Sequence, residues 1–341
     1  MPVDKLREII VAGLEQTFPA KMGLEQLVFG NATPTTYDNE TIQIDIFDGT
    51  RGAAKYTARG AKGQTVGLEG WTTKSVTPPL IDENFVLSAQ DLKVRDYGKG
   101  NINEPAGMKF QNLTNKQLTR LKDRKQRTYN NQIKELITTG IVTIEEHDDK
   151  GNVKATRTED FLMPATHIYT VPTAWNDTAA DIFGDMDTIA DLIVKDSGLT
   201  VTAAIVGKTT LSDMIGNETI QKFVDNRRME FGNFMKDDRG NGLTYWGNIF
   251  GTEIYTYTDF DENGDALIPA SAYIPFAQNA ELDIHYGSID AMVNGVPTIV
   301  EGQEVVYNKA DEDAVAVKQG FKSAKLYALT QSAAFAHLTT R

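Results

Sequence analysis

Residues 41–92 depart in charge and composition from the sequence on either side, and they limit the possible folds more than any other stretch. Ile42, Ile44 and Ile46 alternate with Gln43 and Asp45, the period of a half-buried strand. A Gly- and Thr-rich run, RGAAKYTARGAKGQTVGLEGWTTK, follows, and TPPLIDENFVLSA closes the stretch as a second strand-like run. Between positions 51 and 74 stand Arg51, Lys55, Arg59, Lys62 and Lys74 against one acid, Glu69. A connection this long and hydrophilic makes no core of its own; inside a compact domain such segments are functional or disordered. The two flanking runs predict an extended β-hairpin arm that reaches a partner.

Charge is segregated along the rest of the chain. The 341 residues carry a net charge of −13, yet residues 93–134 hold eleven Lys/Arg and three acids. Outside this segment and residues 51–74, 18 bases face 43 acids. A basic surface and an acidic surface on one chain predict self-association by complementarity; the plainer alternative is that each is a solvated face. A pI near 4.9 argues against general nucleic-acid binding. The absence of cysteine excludes disulfides, thiolate chemistry and Cys–zinc sites. No apolar run is long enough to cross a bilayer. The amphipathic N-terminus lacks the apolar centre of a signal peptide, which predicts a protein made in a cytoplasm and no membrane partner.

Periodicity predicts a short helix over 1–20, irregular chain over 21–40, and a long helix over about 114–139. Leu118, Leu121, Tyr129, Ile133, Leu136 and Ile137 form the apolar stripe of that helix. Thr114 and Gln117 fit a capping box at its start, and Gly140 fits its end. A hairpin follows around DDKGN, IVTIEEH against VKATRTEDFLMP. From residue 178 helices and strands alternate over about 130 residues. They include a helix closed by Gly198, the strand TVTAAIVG, one helical run over KTTLSDMIGNETIQKFVDNRR, and a strand over WGNIFGTEIYTYTD. The tail GFKSAKLYALTQSAAFAHLTT reads as one last strand, expected to pair with the 141–163 hairpin.

Three patterns raise the question of chemistry. Gly207-Lys208-Thr209-Thr210 lies between a strand and a helix, as a phosphate loop does, but Thr202 stands where the motif needs its first glycine. Asp259, Asp261, Asn263 and Gly264 begin like a calcium loop, but Ala270 stands where the bidentate Glu belongs, and Asn-Gly is a hairpin signal. His147, His167, His285 and His337 are scattered without ligand spacing. These readings predict no catalytic site, cofactor or metal.

The order of elements resembles the Hong Kong 97-type capsid fold and, more narrowly, the capsid protein E family of lambda-like tailed phages. The likeness rests on GWTTKSVTPPLIDENFVLSAQDL, QIKELITTGIVTI, AAIVGKTTLSDMIGNETIQKFVDNRR with Arg227 and Arg228, GNIFGTEIYTYTDFDENGDALIPASAYIPFAQN, and LYALTQSAAFAHL with Gln331-Ser332-Ala333. The connector at 93–109 and the hairpin at 145–160 are matched less clearly.

The resemblance implies an α+β fold. It has an N-terminal arm over 1–40, an extended arm (E-loop) over 41–92, a peripheral (P) domain from 93–177 and 309–341 with its spine helix, and an axial (A) domain over 178–308. It also implies a structural subunit forming hexamers and pentamers of an icosahedral head around double-stranded DNA, which it contacts weakly and non-specifically. Portal, scaffolding or decoration proteins are further implied partners, and the virion, assembled in the host cytoplasm, is its place. Candidate inter-subunit contacts are Arg51, Lys55, Arg59, Lys62, Lys74, Arg120, Arg124 and Arg127. The competing reading is a soluble α/β nucleotide-dependent enzyme using the strand–turn–helix at 198–230.

Overall fold

The computed structural model describes residues 23–47, 71–92, 106–148, 150–224, 232–261, 264–293, 296–311 and 315–341. The chain begins with α1 (Gly23–Phe29), β1 (Pro34–Thr36), β2 (Ile42–Phe47), β3 (Trp71–Val76), β4 (Leu80–Ser88) and the long α2 (Ala106–Thr139). Next come β5 (Ile141–His147), β6 (Val153–Asp160), β7 (Ile168–Thr170), α3 (Ile182–Ser197), β8 (Ala203–Val206), α4 (Lys208–Gly216) and α5 (Glu218–Val224). The remainder is β-structure: β9 (Gly232–Gly240), β10 (Leu243–Ile249), β11 (Thr252–Tyr257), β12 (Ala272–Phe276) and β13 (Leu282–Tyr286). It ends with β14 (Ile289–Val293), β15 (Val296–Val300), β16 (Val305–Asp311), β17 (Ala316–Leu329) and β18 (His337–Thr339).

Two sheets organise these strands. One runs β1-β13-β17-β16 with β4 also on β17; the other, seven-stranded, runs β7-β18-β12-β8-β11-β10-β9. The pairs β2–β3, β5–β6 and β14–β15 stand as separate two-stranded ribbons.

Helix α2 carries the predicted stripe. Leu118, Leu121, Tyr129, Ile133, Leu136 and Ile137 are all buried. Its C-terminal half shares one core with Val142, Ile144 and Phe161 of the hairpin region and with Leu326 and Tyr327 of β17. Gly140 ends it at φ 70°, its N–H donating to the Leu136 carbonyl at 2.9 Å. An added Cβ there would lie 2.4 Å from Met163 Cβ, so only glycine fits. The start differs from the prediction. The helix begins eight residues before Thr114 and spans 34 residues, about 50 Å. Thr114 is fully buried inside the helix and its hydroxyl has no partner, so it caps nothing. Its resemblance to a cap came from two polar residues at a fitting distance, and the burial of the stripe overrides that signal.

Strand partners also depart from the sequence reading. β2 pairs with β3, inside the Gly/Thr-rich run, while Leu80–Ser88 pairs along β17. The tail is two strands in two sheets: β17 joins β4, β13 and β16, and β18 joins β12 and β7. It does not pair with the β5–β6 hairpin. Within 21–40 lie α1, which packs Leu24, Val28 and Phe29 into the core, and β1 on β13. The helical run after Gly207 breaks at Asn217, whose Oδ1 accepts from the N–H of Thr219 and Ile220 and caps α5. The strand over 246–259 is a hairpin turning at Phe250-Gly251, both at positive φ. The helix expected over 1–20 lies outside the described residues.

Candidate functional site

The arm is rooted in the core through β2. Ile42, Ile44 and Ile46 are each 3% exposed, and Ile42, Ile44 and Val76 pack with Val142, Ile144 and Phe161. Alternation thus buries one face of the ribbon against the β5–β6 hairpin. Polar groups pin the same contact. Lys74 Nζ donates to the Asp160 carbonyl at 2.6 Å and lies 3.6 Å from Glu159. Arg157 Nη2 donates to the Thr77 carbonyl at 2.7 Å. Lys74, a candidate inter-subunit contact, is therefore engaged within its own chain. Arg51, Lys55, Arg59 and Lys62 lie outside the described residues.

Helix α2 brings the other three candidates together. At 100° per residue, Arg120, Arg124 and Arg127 fall within an arc of about 60°, and all three are exposed. Arg124 donates through Nε and Nη2 to Glu83 Oε1 at 3.1 and 2.8 Å, tying the helix to β4. Arg120 and Arg127 form no ion pair among the described residues. Their guanidinium groups keep their capacity for a carboxylate on another molecule.

The basic half of α2 is less uniform than its composition predicts. Lys125 lies on the buried stripe, four residues from both Leu121 and Tyr129. It pairs with Glu304 and its ammonium sits 4.9 Å over the Phe321 ring. Lys122 is half-buried; burial, and secondarily the Lys125 charge, holds it below the usual lysine range. The reason is that β4 and β17 extend along this half of the helix, with Phe85 and Val306 packed on Leu118. The sequence reading also missed Lys325, which is buried and paired with Glu25 of α1. Lysines at stripe or strand-interior positions were the available signal in both cases.

The 207–210 turn is committed to the fold. The N–H groups of Thr209 and Thr210, which would cradle an anion at a helix start, both donate to the Ala270 carbonyl, at 3.0 and 3.1 Å. Gly207 presses against the same loop: a Cβ there would lie 2.2 Å from the Pro269 oxygen. The described residues of the 259–265 segment are held by turn hydrogen bonds. Gly264, at φ 86°, donates to the Asp261 carbonyl, and the Asp265 N–H donates to Asp261 Oδ1 at 2.9 Å. His167 is buried between the Phe335 carbonyl and Asp196, a structural position. Among the described residues no helix is long and apolar enough to cross a membrane.

The sequence pattern of Phage major capsid protein E matches residues 9–340. The chain belongs to this phage major capsid protein family. No curated protein matches the sequence significantly. Solved structures agree on the fold. A prophage protein of Escherichia coli CFT073, assigned as a capsid protein, superposes with a TM-score of 0.69 at 12% identity, covering 100% of this chain and 99% of its own. A phage-related protein of Bordetella bronchiseptica RB50 gives a TM-score of 0.52 at 12% identity, covering 98% and 96%. The α+β fold is thus the Hong Kong 97-like capsid fold. As a member of the capsid protein E family, this chain is a structural protein of the phage capsid, and its place is the virion.

Proposed function

We propose that this capsid protein E family member assembles from hexamers and pentamers into an icosahedral head around double-stranded DNA, without catalytic activity of its own. Assembly takes place in the host cytoplasm, with portal and scaffolding or decoration proteins as further partners and the DNA touched weakly. The observation that carries this reading is the rooted arm. The β2–β3 ribbon is docked through its isoleucine face, and its ends, Phe47 and Trp71, bracket 23 residues that include four bases. The proposed working parts are an N-terminal arm over 1–40, the extended arm over 41–92, a peripheral domain from 93–177 and 309–341, and an axial domain over 178–308. β18 enters the seven-stranded sheet from the end of the chain and so ties the last two parts together. The acidic excess of the chain suits a container, since clustered Lys/Arg would grip phosphate by counterion release and impede filling.

The test is electron microscopy and size-exclusion of the expressed chain beside a variant in which residues 48–70 are replaced by an Asn-Gly turn. Closed shells are expected from the former, and from the latter a folded protein without shells. Small oligomers from the wild type, with nucleotide binding, would return the enzyme reading.

A further inference from the structure

The β14–β15 ribbon carries an apolar surface that no other described residue of the chain covers. Met292, Val296 and Ile299 are 67%, 59% and 61% exposed, and Pro297 is exposed beside them. The register places Met292 against Pro297 and Asp290 against Ile299, so Met292, Pro297, Ile299 and Asp290 share one face, while Val296, opposite Val293, lies on the other near the ribbon's tip. The other face is anchored, with Ile289 fully buried at its base. A lone two-stranded ribbon is marginal in water, and an uncovered apolar strand pair invites association.

The ribbon stands on a definite side of the molecule. In the β4-β17-β16 sheet, Phe85, Phe321 and Val306 face α2, whereas Lys322 alternates to the opposite side and donates to the Asp290 carbonyl at 3.0 Å. The ribbon is therefore held from the sheet face away from the spine helix.

Its charge says what covers it. From residue 240 to 308 there is no Lys or Arg, and there are ten acids. Asp290 and Glu301, at the rim of the ribbon, are exposed and pair with no cation among the described residues. Lys322, paired with Asp82, meets Asp290 through its main-chain carbonyl and not its carboxylate, and Glu301 accepts from the Thr36 hydroxyl. The same chain carries the complement: Arg120 and Arg127 are exposed and likewise unpaired, and the arm holds four more bases.

We propose that the β14–β15 ribbon is an inter-subunit docking element. A second copy of this chain covers its apolar face and presents cationic side chains to Asp290 and Glu301. The inference rests on the shell-forming function above and adds a contact distinct from the extended arm. An apolar centre with a charged rim is the usual anatomy of such contacts. Because donor ribbon and covering surface differ, the contact is heterologous, the kind that closes rings by rotation.

The absence of cysteine makes a direct test possible. Ile299→Cys introduces a single thiol, and one preparation is separated into subunit and shell fractions by size-exclusion. Maleimide labelling in shells is expected to be slower by about tenfold or more than in subunits, since thiol reactivity follows exposure. Ile299→Asp is expected to keep its circular dichroism and melting temperature while moving from the shell to the subunit fraction. Equal labelling in both fractions, or normal shells from Ile299→Asp, would overturn the proposal. So would protection that arises only after adding another phage protein, which would assign the ribbon to that protein. Shells with a reactive thiol refute this contact alone; no shells from the wild type refute the function beneath it, and this contact with it.

Discussion

Lys325 Nζ donates to Glu25 Oε1 at 2.6 Å inside a cage of three tyrosines, Tyr327, Tyr129 and Tyr286, whose ring centres lie 4.4, 5.0 and 5.7 Å from the ammonium. The pair joins α1 to β17, and the Phe29 ring packs tilted against Tyr327 beside it, 4.8 Å between ring centres. Burial pushes Lys325 below the ordinary lysine value, and Glu25 opposes that shift. The tyrosines are pushed upward by the same burial, so they stay neutral.

Glu25→Gln is expected to destabilise the fold in a pH-dependent way. Breaking a fully dry ion pair costs about 3–5 kcal/mol. Glu25 keeps a quarter of its side chain exposed, so about 2–3 kcal/mol is expected near neutral pH. The folded-state pKa of Lys325 lies below its unfolded value of 10.5. Between the two, the unfolded chain binds more protons and stability rises with pH. The variant lowers the folded value further and widens this window, so its deficit shrinks toward about pH 10. Urea unfolding at both ends of the range checks this; a deficit independent of pH would count against it.

Ile133→Ala is expected to cost about 2–5 kcal/mol, because Ile133 is fully enclosed on the α2 stripe. Arg120→Ala, on the exposed face of the same helix, is expected to change stability by less than about 0.5 kcal/mol. Denaturant midpoints decide between them, and equal losses would refute the facing of the helix.

Gly207→Ala is expected to lose about 3 kcal/mol or more, since the new methyl would collide with the Pro269 and Ala270 carbonyls. Lys208→Ala, exposed one residue later, is expected to be silent within about 0.5 kcal/mol. Calorimetry with ATP is the companion measurement: binding by the wild type that is lost in Lys208→Ala would revive the nucleotide reading.

Reversing Arg51, Lys55, Arg59 and Lys62 together to Glu is expected to block assembly at moderate salt. Each exposed pair is worth only about 0–1 kcal/mol, but a shell repeats the contact in every subunit. Light scattering during assembly reads the effect, and normal shells from the quadruple variant would sink the idea.

Several features were legible because they are written in local periods. The 3.6-residue stripe from Leu118 to Ile137 placed the inner face of α2, and all six residues are buried. The period of two in Ile42, Ile44 and Ile46 placed the inner face of the arm's root. Gly140 and Gly198 mark helix ends at φ 70° and 76°, where glycine carries no steric penalty. The capsid resemblance rested on the order of these elements, and the family match agrees with it.

Tertiary structure alone decided what depends on partners distant in sequence. The helix reaches back to Ala106 because β4 and β17 cover its first half; Thr114 and Lys125 look like solvent positions until those strands arrive. β17 takes Leu80–Ser88 as its neighbour in place of the expected β5–β6 hairpin, since register follows which faces can be buried together. The open face of β14–β15 was invisible for the same reason. Nothing in the local pattern marks Met292 and Ile299 as open, and only the packed molecule shows that no other described residue covers them.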